Sequence, residues 1–130
     1  MAKVFLCNKL KDEDDVIDRR LAILRETYAE LDDTVTSGRD FHKACQEDGT
    51  FEGWPQWNYT VSQEFSVFVT GDQTIGKATH DQLERALTEG KEVYWIDEER
   101  GELIKVVGLR VLTKADGGSW KDYANIELGE

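Results

Sequence analysis

The residues best placed to do chemistry lie in one stretch, Gly71-Asp72-Gln73-Thr74-Ile75-Gly76-Lys77-Ala78-Thr79. It follows an apolar run, Phe65 to Thr70, and leads into an amphipathic one from about Asp81 to Glu89. A loop that ends at a helix N-terminus offers free N–H groups and the positive end of the helix dipole, which together favour an anion. Lys77 adds a positive charge beside that end. The spacing Gly-x-x-x-x-Gly-Lys is that of a phosphate-cradling loop, but the next position should supply a hydroxyl to Mg²⁺. Ala78 has none and Thr79 comes one place late, so a nucleoside triphosphatase is set aside. Asp72, Asp81 and Glu84 are the carboxylates close enough in sequence to serve as acid, base or nucleophile. Thr79-His80-Asp81-Gln82 has the pattern of a capping box, which would start the helix at Thr79 and occupy Gln82 without any ligand.

The elements that must position these groups follow from periodicity. Lys3 to Cys7 is a short buried strand. Asp12, Glu13, Asp14 and Asp15 precede an apolar stripe at Ile17, Leu21, Leu24, Tyr28 and Leu31, whose steps of four and three are helical. Four consecutive carboxylates point around a helix and complement its dipole, so no metal site is expected there. Thr34 to Thr36 reads as a second strand, and Ser37 to Gln46 as a helix with Phe41, Ala44 and Cys45 inward. Gly49 to Gly53 is a loop. Trp54-Pro55 opens another helix, with Pro55 at the first helical position and Trp54, Trp57 and Val61 on one face as core. His42, on the preceding helix, has no evident partner.

Phe65 to Thr70 is apolar on both faces, as in the centre of a parallel sheet. A helix with Leu83, Ala86 and Leu87 inward, a C-terminal cap at Gly90 and a strand from Glu92 to Ile96 complete a parallel crossover. Leu103 to Leu112, a turn at Ala115 to Gly118, and Trp120 to Leu128 predict an antiparallel hairpin at the sheet edge. The fold expected is α/β: one three-layer Rossmann-like domain over residues 1–130, with a mostly parallel sheet and a C-terminal antiparallel hairpin. Ligands of such sheets bind beyond the carboxyl ends of the strands. Two loops open there: the one after the first strand, with Asn8 and Lys9, and the one from Gly71 to Thr79.

Charge and composition limit the partners. The 130 residues carry 16 Lys and Arg against 27 Asp and Glu, a net charge of −11. That charge repels a phosphate backbone, and no basic stripe offsets it, so direct nucleic-acid binding is not expected. The acidic surface serves solubility, or a basic protein partner that ordinarily holds nucleic acid. No apolar run approaches the roughly 20 residues of a membrane span. The N-terminal apolar run is too short for a signal peptide. Cys7 and Cys45 make neither a disulfide framework nor a four-ligand zinc site. A cytoplasmic protein without a cofactor is the expectation.

From Phe65 to Ile96 the chain resembles the nucleoside 2-deoxyribosyltransferase-like family. The resemblance rests on a strand, Thr70-Gly71-Asp72-x-Thr74-Ile75-Gly76-Lys77-x-Thr79, a helix ending Ala86-Leu87-x-x-Gly90-Lys91, and a following strand. It implies a small Rossmann-like protein that binds a nucleoside or nucleotide and acts at the N-glycosidic bond. Ligand-binding positions implied are Asn8, Lys9, Gly71, Asp72, Gly76, Lys77 and Thr79, with Asp72 touching the nucleoside. The family's nucleophile is a glutamate three residues after the helix-opening Thr, and Gln82 stands there. An amide forms no glycosyl ester, which leaves Asp72, Asp81 and Glu84 as candidate catalytic carboxylates. Ala78 also replaces the family's usual Gly, and Gly76 stands where an acidic residue is frequent. Homo-oligomers are the family habit, and by that analogy Asp122, Tyr123, Asn125 and Glu127 would complete a neighbour's pocket.

Overall fold

A computed structural model describes residues 3–8, 13–28, 34–112 and 123–129. Its elements are, in order, β1 (Lys3–Cys7), α1 (Asp14–Thr27), β2 (Thr34–Ser37), α2 (Gly38–Glu47), α3 (Trp54–Glu64) and β3 (Val67–Thr70). There follow β4 (Thr74–Ile75), α4 (Lys77–Thr88), β5 (Glu92–Asp97), β6 (Glu102–Val111) and β7 (Ala124–Leu128). The fold is α/β, with one mixed seven-stranded sheet in the order β2-β1-β3-β5-β6-β7-β4. The first four of these strands are mutually parallel, and β6, β7 and β4 are antiparallel additions.

Alternation along β1 creates the three layers. Val4 and Leu6 point to one face, Phe5 and Cys7 to the other. On the first face they meet Ile17, Leu21 and Leu24 of α1, together with Val35, Val67 and Val69. On the second they meet Trp57 and Val61 of α3 and Leu83 and Ala86 of α4. Each such side chain contributes roughly 1.5–3 kcal/mol by leaving water. The register Val4↔Val67 and Phe68↔Val93 stacks apolar residues across β1, β3 and β5, and all four residues of β3 are buried. The apolar run around Val67 therefore lies where its composition placed it, between two parallel neighbours.

Four local expectations change. The stretch 71–79 is not one loop: Thr74 and Ile75 pair with Asn125 and Ala124 as β4. Ile75 is buried in the core, so the chain is anchored immediately before Gly76. As a result α4 starts at Lys77, with Gly76 at its N-cap and no side-chain cap, and the capping box at Thr79 does not form. The C-terminal hairpin strands are not at the edge either, because β4 lies outside β7. Finally, Ala44 faces solvent and Trp54 is 46% exposed. α2 packs over β1 and the edge strand β2, and Cys45 is its one fully buried residue.

Other signals hold. Ser37 caps α2, its Oγ accepting from the Asp40 amide at 3.1 Å, so β2 passes directly into the helix. Gly90 has φ +75° and ends α4 in a Schellman motif, with Lys91 N donating to Ala86 O and Gly90 N to Leu87 O. The predicted turn at Ala115 to Gly118 and the Leu31 end of the first stripe lie outside the described residues. No helix among the described residues is long and apolar enough to cross a membrane.

Candidate functional site

The strand order reverses around β1: the chain steps from β1 to β2 on one side and later reaches β3 on the other. Such a switch point opens a crevice at the carboxyl ends of the strands. A cavity of about 460 Å³ lies at these ends. Asn8 follows β1, and Gly38 and Arg39 follow β2 through the Ser37 cap. Ala78, Thr79 and Gln82 come from the start of α4, while α1 contributes Asp14 and Ile17. The aromatic walls are Phe5 from β1, His42 from α2, and Trp54 and Trp57 from α3.

These rings hold one another. His42 stacks on Trp54 with centroids 4.7 Å apart and planes at 28°. Trp57 stands nearly perpendicular to both, at 5.7 Å from Trp54 and 5.8 Å from His42. Phe5 meets Trp57 at 6.1 Å. Edge-to-face pairs of this kind fix ring orientation and contribute about 0.5–1.5 kcal/mol each beyond area burial. Trp57 is 7% exposed and Trp54 46%, so one indole is wall and the other is rim.

The polar side of the cavity is equally tied. Asn8 Oδ1 accepts from the Arg39 amide at 2.9 Å. No side chain fits between them at position 38, because a Cβ there would lie 2.9 Å from Asn8 Oδ1. The Arg39 guanidinium bonds Asp40 through Nε at 2.9 Å, Asp14 through Nη1 at 3.1 Å and Asp18 through Nη2 at 2.8 Å. The bonds from Asp40 and Asp18 raise the Arg39 pKa, and the bond from Arg39 holds Asp40 below its ordinary range.

Gln82 lies at the inner end of the cavity, 4% exposed. Its Nε2 donates to Asn58 Oδ1 at 2.9 Å and its Oε1 accepts from the Cys7 thiol at 3.7 Å. Burial, then the charge of Asp72, pushes the Cys7 thiol up, which keeps it a protonated donor. The amide is thus fixed from β1 and α3 together, a task quite different from helix capping.

The remaining predicted residues lie elsewhere. Asp72 faces Arg20, with Nη2 to Oδ1 at 3.7 Å, and Arg20 also bonds Glu98 at 3.2 Å. Gly71 is the platform for that guanidinium and gives its carbonyl to Trp95 Nε1 at 3.3 Å. Lys77 bonds Asp81 at 2.7 Å and sits over the Tyr123 ring rather than over a loop nest. Burial pushes the Asp81 carboxyl up, but bonds from Lys77 and His80 outweigh it and hold the group low. Glu84 bonds buried His80 at 3.3 Å. Asp81 and Glu84 border a second groove, between α3 and α4, and not the cavity. Of the predicted ligand-binding set, the cavity collects Asn8 and Thr79. Gly76 caps α4 outside its lining, and Lys9 lies outside the described residues.

Among the described residues lining the cavity the one carboxylate is Asp14, whose side chain is 81% exposed and paired with Arg39. No group of three or more His, Cys, Asp or Glu among the described residues is arranged to hold a metal ion. In the tail, Asn125 accepts from Thr74 at 2.7 Å and Tyr123 packs on His80, both within the same chain. Asp122 lies outside the described residues. Sequence reasoning missed Phe5, Arg39, His42 and Asn58 as site groups and read the two tryptophans as core. The Ser37 cap directly after a short strand was the available signal for Gly38 and Arg39. No family model, no curated protein and no solved structure matches the chain.

Proposed function

We propose that the protein binds a nucleoside or nucleotide in the cavity at the end of β1 and leaves its glycosidic bond intact. The observation that carries this reading is Gln82: an amide occupies the position of the nucleophile implied by the resemblance, buried and bonded to Cys7 and Asn58. Candidate carboxylates Asp72, Asp81 and Glu84 are each engaged with a basic partner outside the lining. Supporting the ligand class are the position at a strand-order switch, the 460 Å³ volume and the indole walls. Stacking a base on an aromatic side chain contributes about 1–3 kcal/mol.

A thermal-shift panel of nucleosides and nucleoside monophosphates, read alongside chromatography for free base, tests this. A ligand at about 100 times its dissociation constant adds about 2.7 kcal/mol, several degrees for a domain of this size. A selective shift with no base released is the expected result. Base release that disappears in Asp72→Asn would replace the binding reading with an enzymatic one. Release appearing only in Gln82→Glu would place the pocket geometry intact around a lost nucleophile.

The net charge of −11 favours a second reading, in which the acidic surface engages a basic protein partner. It predicts binding that weakens steeply between low and physiological salt.

A further inference from the structure

The charges at the cavity mouth narrow the ligand class. All three nitrogens of Arg39 are bonded to protein carboxylates, so its fork has no face left for a phosphate. Asp14, Asp18 and Asp40 around one guanidinium leave an excess of two negative charges at the rim. Lys77, the nearest described lysine to the start of α4, is spent on Asp81. The opposing influence is the first turn of α4, which borders the cavity without a side-chain cap. Its dipole amounts to about half a positive charge, less than the excess it faces.

The walls have the same preference. Trp54 and Trp57 stand at 85° with centroids 5.7 Å apart, forming two sides of a corner. The face of an indole attracts a cation within about 6 Å of its centroid, most strongly where water is excluded. Aromatic walls alone accept any planar ring; aromatic walls under a negative rim favour one that carries positive charge. Taking the nucleoside reading above as the base, we infer that the cavity selects a nucleoside without phosphate whose base is cationic, such as a ring-nitrogen-methylated purine or pyrimidine. The base would stack in the Trp54–Trp57 corner, with its charge facing the Arg39 carboxylates.

Calorimetric titration of the full chain at low salt and mildly acidic pH, with two matched pairs of probes, tests the inference. The pairs are guanosine with 7-methylguanosine and cytidine with 3-methylcytidine, each also as the 5′-monophosphate. At least one methylated nucleoside is expected to bind about tenfold tighter than its parent, and each monophosphate more weakly than its nucleoside. Asp18→Asn removes a rim charge on an exposed side chain and is expected to weaken the methylated probe about threefold while leaving the parent unchanged. Trp54→Leu keeps an apolar rim but removes the indole, and the preference for the methylated probe should disappear. Parents binding as tightly as their methylated forms, or monophosphates binding tighter than nucleosides, would overturn the inference and leave the nucleoside reading standing. No binding by any of the eight probes would overturn both.

Discussion

Gln82 differs from a glutamate by one atom, and that atom decides what the buried end of the cavity can do. The amide both donates, to Asn58, and accepts, from Cys7. A carboxylate there would only accept, so Asn58 would have to turn its own amide to meet it. Gln82→Glu is therefore expected to lower stability by about 1–3 kcal/mol at neutral pH, measured by urea denaturation, and by less in acid, where the introduced carboxyl is protonated. Gly71 is a second such point. A Cβ at that position would lie 2.3 Å from Arg20 Cζ, and Arg20 is buried between Glu98 and Asp72. Gly71→Ala should cost about 1–3 kcal/mol, with Trp95 fluorescence reporting the displaced carbonyl. Burial pushes the Glu98 carboxyl up, but bonds from Arg19 and Arg20 and their charges outweigh it and hold the group below its ordinary 4.5. A depressed acid contributes stability above its unfolded pKa and loses it as pH falls through the folded one. Glu98→Gln should thus lower Tm most at neutral pH and converge with the parent protein in acid.

Among elements, those legible in the sequence are the ones whose evidence is local and periodic. The Ile17–Leu21–Leu24 stripe, the Lys3–Cys7 run and the doubly apolar Val67–Thr70 each contain enough residues to express a period, and each forms where expected. Gly90 was legible because a left-handed residue after a helix favours glycine whatever the tertiary context; Gly90→Ala should cost about 1 kcal/mol in thermal unfolding. β4 was not legible. A two-residue strand has no period, and its partners Ala124 and Asn125 lie some fifty residues away. Pairing with β7 moved the start of α4 forward and cancelled a capping pattern that was locally sound. The site was half legible for the same reason. Asn8, Thr79 and Gln82 follow strands in sequence, whereas His42, Trp54 and Trp57 reach the cavity only because α2 and α3 cross over β1.

For the whole molecule, a doubly wound sheet with a switch at β1 followed from the order of elements, while the extra layer β6-β7-β4 depended on pairing beyond any single motif. A net charge of −11 on 130 residues makes self-repulsion a global term. Raising NaCl from low to physiological concentration shortens the screening length to about 8 Å and should raise Tm. A Tm that falls with salt would show that favourable ion pairs, such as those of Arg39, outweigh the repulsion. Ligand binding in the cavity, without turnover, is the central claim, and Trp54 at its rim offers a direct reporter. The measurement is a tryptophan-fluorescence titration with nucleosides, repeated on Trp54→Leu. Saturable quenching that is lost in the variant is the predicted result. Absence of quenching by any nucleoside, or quenching that survives the loss of Trp54 unchanged, would contradict it.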